Sequence, residues 1–234
     1  ASLRAQFTQY FWDFEKAYAY LALDGNRSPC RVRSSNMGHC LWARLLTNEQ
    51  ARAVTDHLMS SALYNGYGIR TLADTEAAYN PMSYHNGSVW PHDNSLALEG
   101  FRSYGEMSAL ETLSTGLIEV LEASQDFRMP ELFCGFRRRG NEPPVPYEVA
   151  CKPQAWAAGS LFLLLKSLLG LSIEADQTHL VVRSPRLTQK MNSLHIRGFK
   201  ARDWEMDLSF VRTPNGVQVS IPRKSGKVQV LTVR

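Results

Sequence analysis

The spacing of apolar residues changes at Gly170. Before this position, apolar side chains recur every three or four residues in several segments, which is the spacing of one helical face. After it, short runs alternate apolar and polar residues, which is typical of strands with one buried face. The sequence therefore predicts a helical region, residues 1–172, followed by a small β-rich region, residues 173–234.

About six helices are predicted in the first region. Thr47 and Gln50 form a capping-box signature at the start of one helix, and Pro91 suits the first turn of another, which ends at Gly105. The predicted segments are 3–14, 37–46, the stretch after Thr47, 91–104, 107–123 and 153–169. Three antiparallel helix pairs make half of a six-hairpin toroid. We therefore expect a mainly α chain, a partial (α/α)6 toroid of about three αα-hairpins.

The β-rich region shows short alternating runs at residues 179–182, 193–199, 205–212, 217–222 and 228–233. Thr213-Pro-Asn-Gly216 has the composition of a hairpin turn between two of them. These patterns predict a small antiparallel β-unit.

Composition and charge narrow the class of protein. The chain is 44% hydrophobic and 21% charged, so it can bury a core, and its net charge of +4 is modest and scattered. We expect no nucleic-acid partner, because the run of arginines at 137–139 is typical of a solvated loop. The four cysteines form no CxxC pair, which favours a reduced, cytoplasmic protein. No stretch approaches the roughly 18 apolar residues of a membrane span, and no signal peptide is recognisable.

Two long connections, residues 66–94 and 129–153, are rich in aromatic, polar and glycine residues. Long loops in a compact domain tend to carry function. Aromatic rings beside fixed polar groups suit sugars, whose rings have apolar C–H faces and hydroxyl edges. We expect residues 79–94 to form part of a glycan pocket. The candidate substrate-binding residues of the first loop are Arg70, Tyr84, His85, Trp90, His92, Asp93 and Asn94.

Each candidate has a plain structural alternative. Trp90 alone is equally typical of a buried core, and Asp93 and Asn94 alone are typical of the first turn of a helix. His85 and His92 suggest a metal, but their spacing matches no common ligand pattern, so we expect neither metal nor cofactor. The cluster as a whole favours a binding site.

The segment YNPMSYHNGSVWPHDN, residues 79–94, closely resembles the signature of amylo-α-1,6-glucosidase-type glycogen debranching proteins, which belong to the clan of α/α-toroid glycosidases. Further similar motifs follow in the same order along nearly the whole chain. They are YLALDG (20–25), SSNMGHCLW (34–42), GYGIRTL (66–72), PELFCGF (130–136) and PYEVACKPQAWAAG (146–159).

The resemblance implies an inverting glycosidase with two carboxyl groups, one acid and one base. It implies that Glu131 of PELFCGF is the catalytic base, with Glu142 and Glu148 on the same loop as competing candidates. It also places Gln154 and Trp156 in the pocket lining. The alternatives for this pair are a helix cap for Gln154 and core packing for Trp156.

The resemblance places the general acid on a loop before the segment that resembles residues 3–23, outside this chain. We therefore expect Asp93 to bind a sugar hydroxyl. Two alternatives stay open for activity: a piece of an enzyme that cleaves α-1,6-linked glucose of glycogen or a related α-glucan, or a truncated module that binds such an oligosaccharide without cleaving it. Half a toroid would leave apolar flanks, which self-association or a missing N-terminal half would cover.

Overall fold

The computed structural model describes residues 2–174 and 178–233. The chain divides into two compact units, Ala1–Leu164 and Leu165–Arg234, and each is described by itself. The boundary between the units falls inside the last helix. The predicted domain border after residue 172 stays a prediction.

Six helices occur in the described residues, as the periodicity predicted. They are α1 (Ser2–Phe11), α2 (Met37–Trp42), α3 (Asn48–Leu58), α4 (Pro91–Tyr104), α5 (Met107–Ala123) and α6 (Ala155–Leu169). Helix α2 is shorter than predicted because Arg44 adopts a φ of 54°, a left-handed conformation that ends the helix. Within the described residues, none of the helices combines the length and apolar character that crossing a membrane requires.

Local signals in the sequence set the ends of α3 and α4. The Thr47 hydroxyl accepts a hydrogen bond from the backbone N–H of Gln50, whose side chain accepts one from the backbone N–H of Thr47. This capping box confirms the predicted start of α3. Pro91 occupies the first turn of α4, and Gly105 follows its end with a φ of 78°.

Helix α2 packs against α4 at unusually close range. A Cβ added at Gly38 of α2 would lie 2.9 Å from the Cβ of Ala97, and one added at Gly100 of α4 would lie 2.5 Å from the Cβ of Leu41. The two glycines therefore allow an approach that larger side chains would prevent. The contact brings His39 of α2 beside Asp93 in the first turn of α4.

Eight strands in three sheets occur in the described residues. They are β1 (Trp12–Asp13), β2 (Tyr18–Ala19), β3 (Leu171–Ile173), β4 (His179–Arg183), β5 (Ser193–Ala201), β6 (Trp204–Thr213), β7 (Gly216–Ser225) and β8 (Gln229–Val233). In the second unit, β5, β6 and β7 form an antiparallel sheet, and β3, β4 and β8 form another. Thr213 pairs with Gly216 at the tip of the β6–β7 hairpin, which confirms the predicted turn.

The prediction of a purely antiparallel tail is wrong in one strand pair. Strand β8 runs parallel to β4, because the whole β5–β7 sheet lies between them in sequence and returns the chain to the end where β4 began. Strands β4 and β6 contribute buried residues to a core that belongs to this unit, and the other strands pack partly buried apolar residues against it. Its buried members are Leu169, Leu180, Val182, Leu187, Trp204, Met206, Leu208, Phe210 and Val228.

The prediction of a mainly α fold is wrong. Helices account for 32% of the chain and strands for 24%, so the described structure is mixed α/β. Two features explain the difference. Strands β4, β5, β6 and β7 are longer than their alternating runs predicted, and β3 and the short β1–β2 pair add further strand. Long irregular connections separate α3 from α4 and α5 from α6, which lowers the helical share of the first unit.

Candidate active site

The two long loops of the first unit are joined by backbone pairing. Val89 and Phe133 exchange hydrogen bonds, with the N–H of Val89 2.9 Å from the carbonyl oxygen of Phe133 and the reverse bond at 3.0 Å. Val89 also bridges to Arg70, and Phe133 to Pro146. Val89 and Phe133 are almost fully buried, which fixes this junction. The two loops predicted to carry function therefore converge.

A cleft of about 560 Å³ opens in the first unit beside this junction. It contains most of the predicted substrate-binding residues of the first loop, together with Trp156 from the start of α6. Its lining residues are Leu21, Ser34, Ser35, Asn36, His39, Thr71, Leu72, Tyr84, His85, Asn86, Trp90, His92, Asp93 and Trp156.

Glu131 is the predicted catalytic base, and its side chain is held at both carboxylate oxygens. Oε1 accepts hydrogen bonds from the Tyr84 hydroxyl at 2.8 Å and from Nε2 of Gln154 at 3.3 Å. Oε2 accepts one from the backbone N–H of Cys151 at 3.1 Å. The residue is only 5% exposed. These contacts link Glu131 directly to Tyr84, which lines the cleft.

Two opposing effects act on the pKa of Glu131. Burial raises it, whereas the hydrogen bonds from Cys151, Tyr84 and Gln154 stabilise the anion and lower it, and the net pKa lies below its usual value. The carboxyl group is therefore ionised at neutral pH, as a general base must be.

The competing carboxylates lie in different surroundings. Glu142 and Glu148 are both exposed. Glu142 lines a separate cleft of about 250 Å³ beside Tyr67 and the arginine run. In the described residues neither side chain has the set of donors that surrounds Glu131. The geometry thus favours Glu131 among the three.

The aromatic residues of the cleft pack in two layers. The rings of His85 and Trp90 stack with centroids 5.6 Å apart, and the rings of His92 and Trp156 stack at 4.9 Å. Trp90 meets Trp156 edge-on at 5.8 Å and Tyr84 edge-on at 4.8 Å. Burial in this cluster lowers the pKa of His92, which favours its neutral imidazole.

The two tryptophans differ in accessibility. Trp90 is 7% exposed, and its indole N–H donates to the Tyr84 carbonyl at 3.0 Å. Trp156 is 45% exposed. Trp90 therefore supports the wall of the cleft, whereas Trp156 offers a ring face to a ligand.

Arg70 and Asn94 lie apart from the cleft lining, although both were predicted to bind substrate. Arg70 is buried, and its guanidinium donates to the carbonyl oxygens of Gly135, Ser61 and Ala62. Asn94 is buried as well, and its amide exchanges two hydrogen bonds with the backbone of Ile69. Both side chains use their polar atoms to hold the loops in place.

His39 lines the cleft but was not among the predicted residues. Its Nε2 lies 2.6 Å from Oδ1 of Asp93. This hydrogen bond raises the pKa of His39, although burial opposes the shift. The motif SSNMGHCLW contains His39 and was the available signal, but a histidine on a short helix gives no indication of which distant loop it faces.

A family comparison decides the class of protein. The sequence model of the mannosylglycerate hydrolase MGH1-like glycoside hydrolase domain matches residues 1–136, more than half of the chain. The chain belongs to this family. The matched part of the MGH1-like domain contains the first loop and Glu131, and it ends before Gln154 and Trp156.

Solved structures share the fold of this MGH1-like domain. Neutral trehalase Nth1 from Saccharomyces cerevisiae matches with a TM-score of 0.54 at 20% identity, over 70% of this chain and 29% of that chain. A GH63 mannosylglycerate hydrolase from Thermus thermophilus in complex with glucose matches with a TM-score of 0.52 at 20% identity, over 67% of this chain and 36% of that chain. A GH78 family rhamnosidase of Bacillus sp. GL1 matches with a TM-score of 0.56 at 12% identity, over 98% of this chain and 22% of that chain.

These comparisons refine the resemblance found in the sequence. They show a glycoside hydrolase domain of the α/α-toroid type and do not single out the debranching proteins. No curated protein matches the chain. The chain spans between 22% and 36% of the length of the three solved chains.

Proposed function

We propose that this MGH1-like domain supplies the general base and the sugar cleft of an inverting glycoside hydrolase. The observation that carries the proposal is the buried carboxylate of Glu131, which accepts hydrogen bonds from Tyr84, Gln154 and the Cys151 N–H beside an aromatic cleft. A base of this kind must keep its proton acceptor fixed and charged while a water approaches.

In the proposed reaction, Glu131 removes a proton from a water molecule as the water oxygen bonds to the anomeric carbon. The bond from that carbon to the leaving oxygen breaks on the opposite face, the leaving oxygen takes a proton from the general acid, and the configuration inverts. An acid and a base about 6.5–9.5 Å apart leave room for this water. The proposal gives Asp93 no acid role, since its Oδ1 already accepts a hydrogen bond from His39.

The other cleft residues hold the sugar. Trp156 stacks on a ring face, while Tyr84, His85 and His92 line the wall that faces its hydroxyls. Arg70 and Asn94 act on the site indirectly, because Arg70 bonds the Gly135 carbonyl of the second loop and Asn94 bonds the backbone of Ile69 and Trp90 within the first loop.

For the substrate we propose an α-linked glucosyl group, with the α-1,6 branch points of glycogen or a related α-glucan as the specific candidate. The motifs at residues 79–94 and 146–159 support it. Trehalose and mannosylglycerate are the competing substrates, since the similar structures include a trehalase and a mannosylglycerate hydrolase.

An activated substrate tests the base separately from the acid. Fluoride leaves without protonation, so hydrolysis of α-glucosyl fluoride needs a positioned base and no general acid. We expect the chain to release fluoride, with β-glucose as the first product by proton NMR, and α-mannosyl fluoride to react more slowly. Glu131→Gln should reduce the rate at least a hundredfold, in line with general base catalysis.

Glu148→Gln is the matched control, because Glu148 is exposed on the same loop and should leave the rate unchanged. Release of α-glucose first would exclude inversion. An equal loss of activity in both variants, or none in either, would exclude Glu131 as the base. Limit dextrin, trehalose and mannosylglycerate, tested with the longest natural chain that contains this domain, would then decide the substrate.

A carbohydrate-binding module without turnover is the second candidate. It is favoured by the small share of the solved chains that this domain spans. Calorimetry that detects maltooligosaccharide binding by a chain that releases no fluoride would support it over the first.

A further inference from the structure

His39 and Asp93 form a pair across the α2–α4 contact. Nε2 of His39 lies 2.6 Å from Oδ1 of Asp93, a short distance for a hydrogen bond that joins a ring nitrogen to a carboxylate. The close packing through Gly38 and Gly100 holds the two helices at this separation. The pair is therefore part of the folded framework and not a chance contact between two mobile side chains.

The two members of the pair differ in how far they reach the cleft. The His39 side chain is 45% exposed, whereas that of Asp93 is 16% exposed. Oδ2 of Asp93 is enclosed and has no hydrogen-bond partner in the described part of the chain. A ligand in the cleft thus meets the imidazole more readily than the carboxylate.

The hydrogen bond to Asp93 fixes the orientation of the His39 ring and the donor or acceptor role of its other nitrogen. With Nε2–H donating to the carboxylate, the other ring nitrogen, Nδ1, is an acceptor in neutral His39 and a donor in the protonated form. Within residues 2–174 and 178–233, the His39 side chain makes no hydrogen bond other than the one to Asp93. Nδ1 remains free to bond a hydroxyl in either state.

We propose that His39 contacts the substrate and determines which sugar hydroxyl the cleft accepts, while Asp93 is a positioning residue that acts through His39. This inference rests on the proposed sugar-binding function of the cleft, and it reverses the role first expected for Asp93. The ligand is a neutral sugar, since the Asp93 carboxylate offsets the charge that protonated His39 would offer to an anion.

Histidine NMR on the full chain tests the proposal without any turnover. The chain has six histidines, so their ring signals can be assigned with single His→Gln variants. Titration with glucose should shift the ring signals of His39, and those of exposed His195 should stay unchanged. D-glucuronate, used as an anionic probe, should shift the His39 signals less than glucose does.

Two variants test separately the substrate contact of His39 and the positioning role of Asp93. By calorimetry, His39→Gln should weaken glucose binding about three- to tenfold, the loss of one hydrogen bond. Asp93→Asn should lower the pKa of His39 in an NMR titration and should also weaken glucose binding, a combination that a purely structural carboxylate would not produce. Thermal unfolding of each variant identifies any loss that comes from misfolding.

Several outcomes would overturn the inference. Glucose that shifts His85 and His92 but not His39 would remove His39 from the site. A stronger response to glucuronate than to glucose would identify an anion subsite. An unchanged His39 pKa in Asp93→Asn would remove the positioning role. All of these measurements can be repeated in Glu131→Gln, so failure of the base assignment is distinguishable from failure of this one.

Discussion

The hydroxyl of Tyr84 donates a 2.8 Å hydrogen bond to Oε1 of Glu131 and joins the two long loops of the domain at the carboxylate. The same bond raises the pKa of Tyr84 and contributes to the lowered pKa of Glu131. One contact therefore ties the sugar-facing wall to the proposed base and maintains the charge that the base requires.

Tyr84→Phe should move the acidic limb of the rate profile to higher pH. The pKa of Glu131 is lowered in the folded protein partly by this hydrogen bond, so its loss raises that pKa and less of the base is ionised at low pH. The measurement is fluoride release from α-glucosyl fluoride between about pH 4 and 8. Tyr79→Phe is the control, because the Tyr79 hydroxyl donates to the Gly135 carbonyl and not to the carboxylate. An acidic limb that stays in place would show that Tyr84 does not tune Glu131.

Arg70→Met should destabilise the first unit by about 2–4 kcal/mol, because it removes the three hydrogen bonds that the buried guanidinium donates to the carbonyl oxygens of Gly135, Ser61 and Ala62. Urea unfolding followed by tryptophan fluorescence reports mainly this unit, since four of the five tryptophans, Trp12, Trp42, Trp90 and Trp156, lie in residues 1–164. Exposed Arg139→Met should change the free energy of unfolding by less than about 0.5 kcal/mol. If Arg70→Met instead weakens glucose binding at unchanged stability, Arg70 contacts sugar directly.

Replacing either of two helical glycines with alanine should change the free energy of unfolding, in opposite directions. Gly100→Ala should cost about 1–3 kcal/mol, because the new methyl group meets Leu41 and the backbone N–H of Trp42 in the α2–α4 contact. Gly159→Ala should stabilise α6 by about 0.5–1 kcal/mol, since nothing lies within 4 Å of the added Cβ and alanine is the better helix former. Urea midpoints of the two variants measure the difference. Equal effects would mean that α2 and α4 do not pack this closely.

Trp156→Ala should weaken glucose binding about three- to tenfold with little change in stability, because the ring is half exposed at the cleft. Trp90→Ala should cost about 3–5 kcal/mol of unfolding free energy, since it removes a buried indole and leaves a cavity. Calorimetry and urea unfolding of both variants separate the roles. A large stability loss in Trp156→Ala would assign that residue to the core.

Much of the secondary structure was readable from local sequence. Helix α5 has the predicted bounds, Met107–Ala123, and Pro91 and Gly105 marked the ends of α4. These signals work because periodicity, proline and glycine act on the backbone within a few residues. The proportion of helix was predicted poorly, because the exact length of a strand depends on its partner strands and not on its own alternation.

In the candidate site too, some features could be predicted from the sequence and others depend on contacts between distant segments. Motif resemblance predicted a site made of the two loops, Glu131 and the aromatic residues, and these roles stay predictions; it also predicted a glycosidase-type chain, which the family comparison confirms. It did not reveal that Arg70 and Asn94 bond the backbone or that His39 faces Asp93. A side chain's type sets which bonds it can form, but the partner that satisfies it is chosen by packing between segments distant in sequence. The sequence by itself determined the helices, the turns and the chemistry available in the two loops. The tertiary structure decided which of those polar groups hold the loops together and which remain free for a ligand.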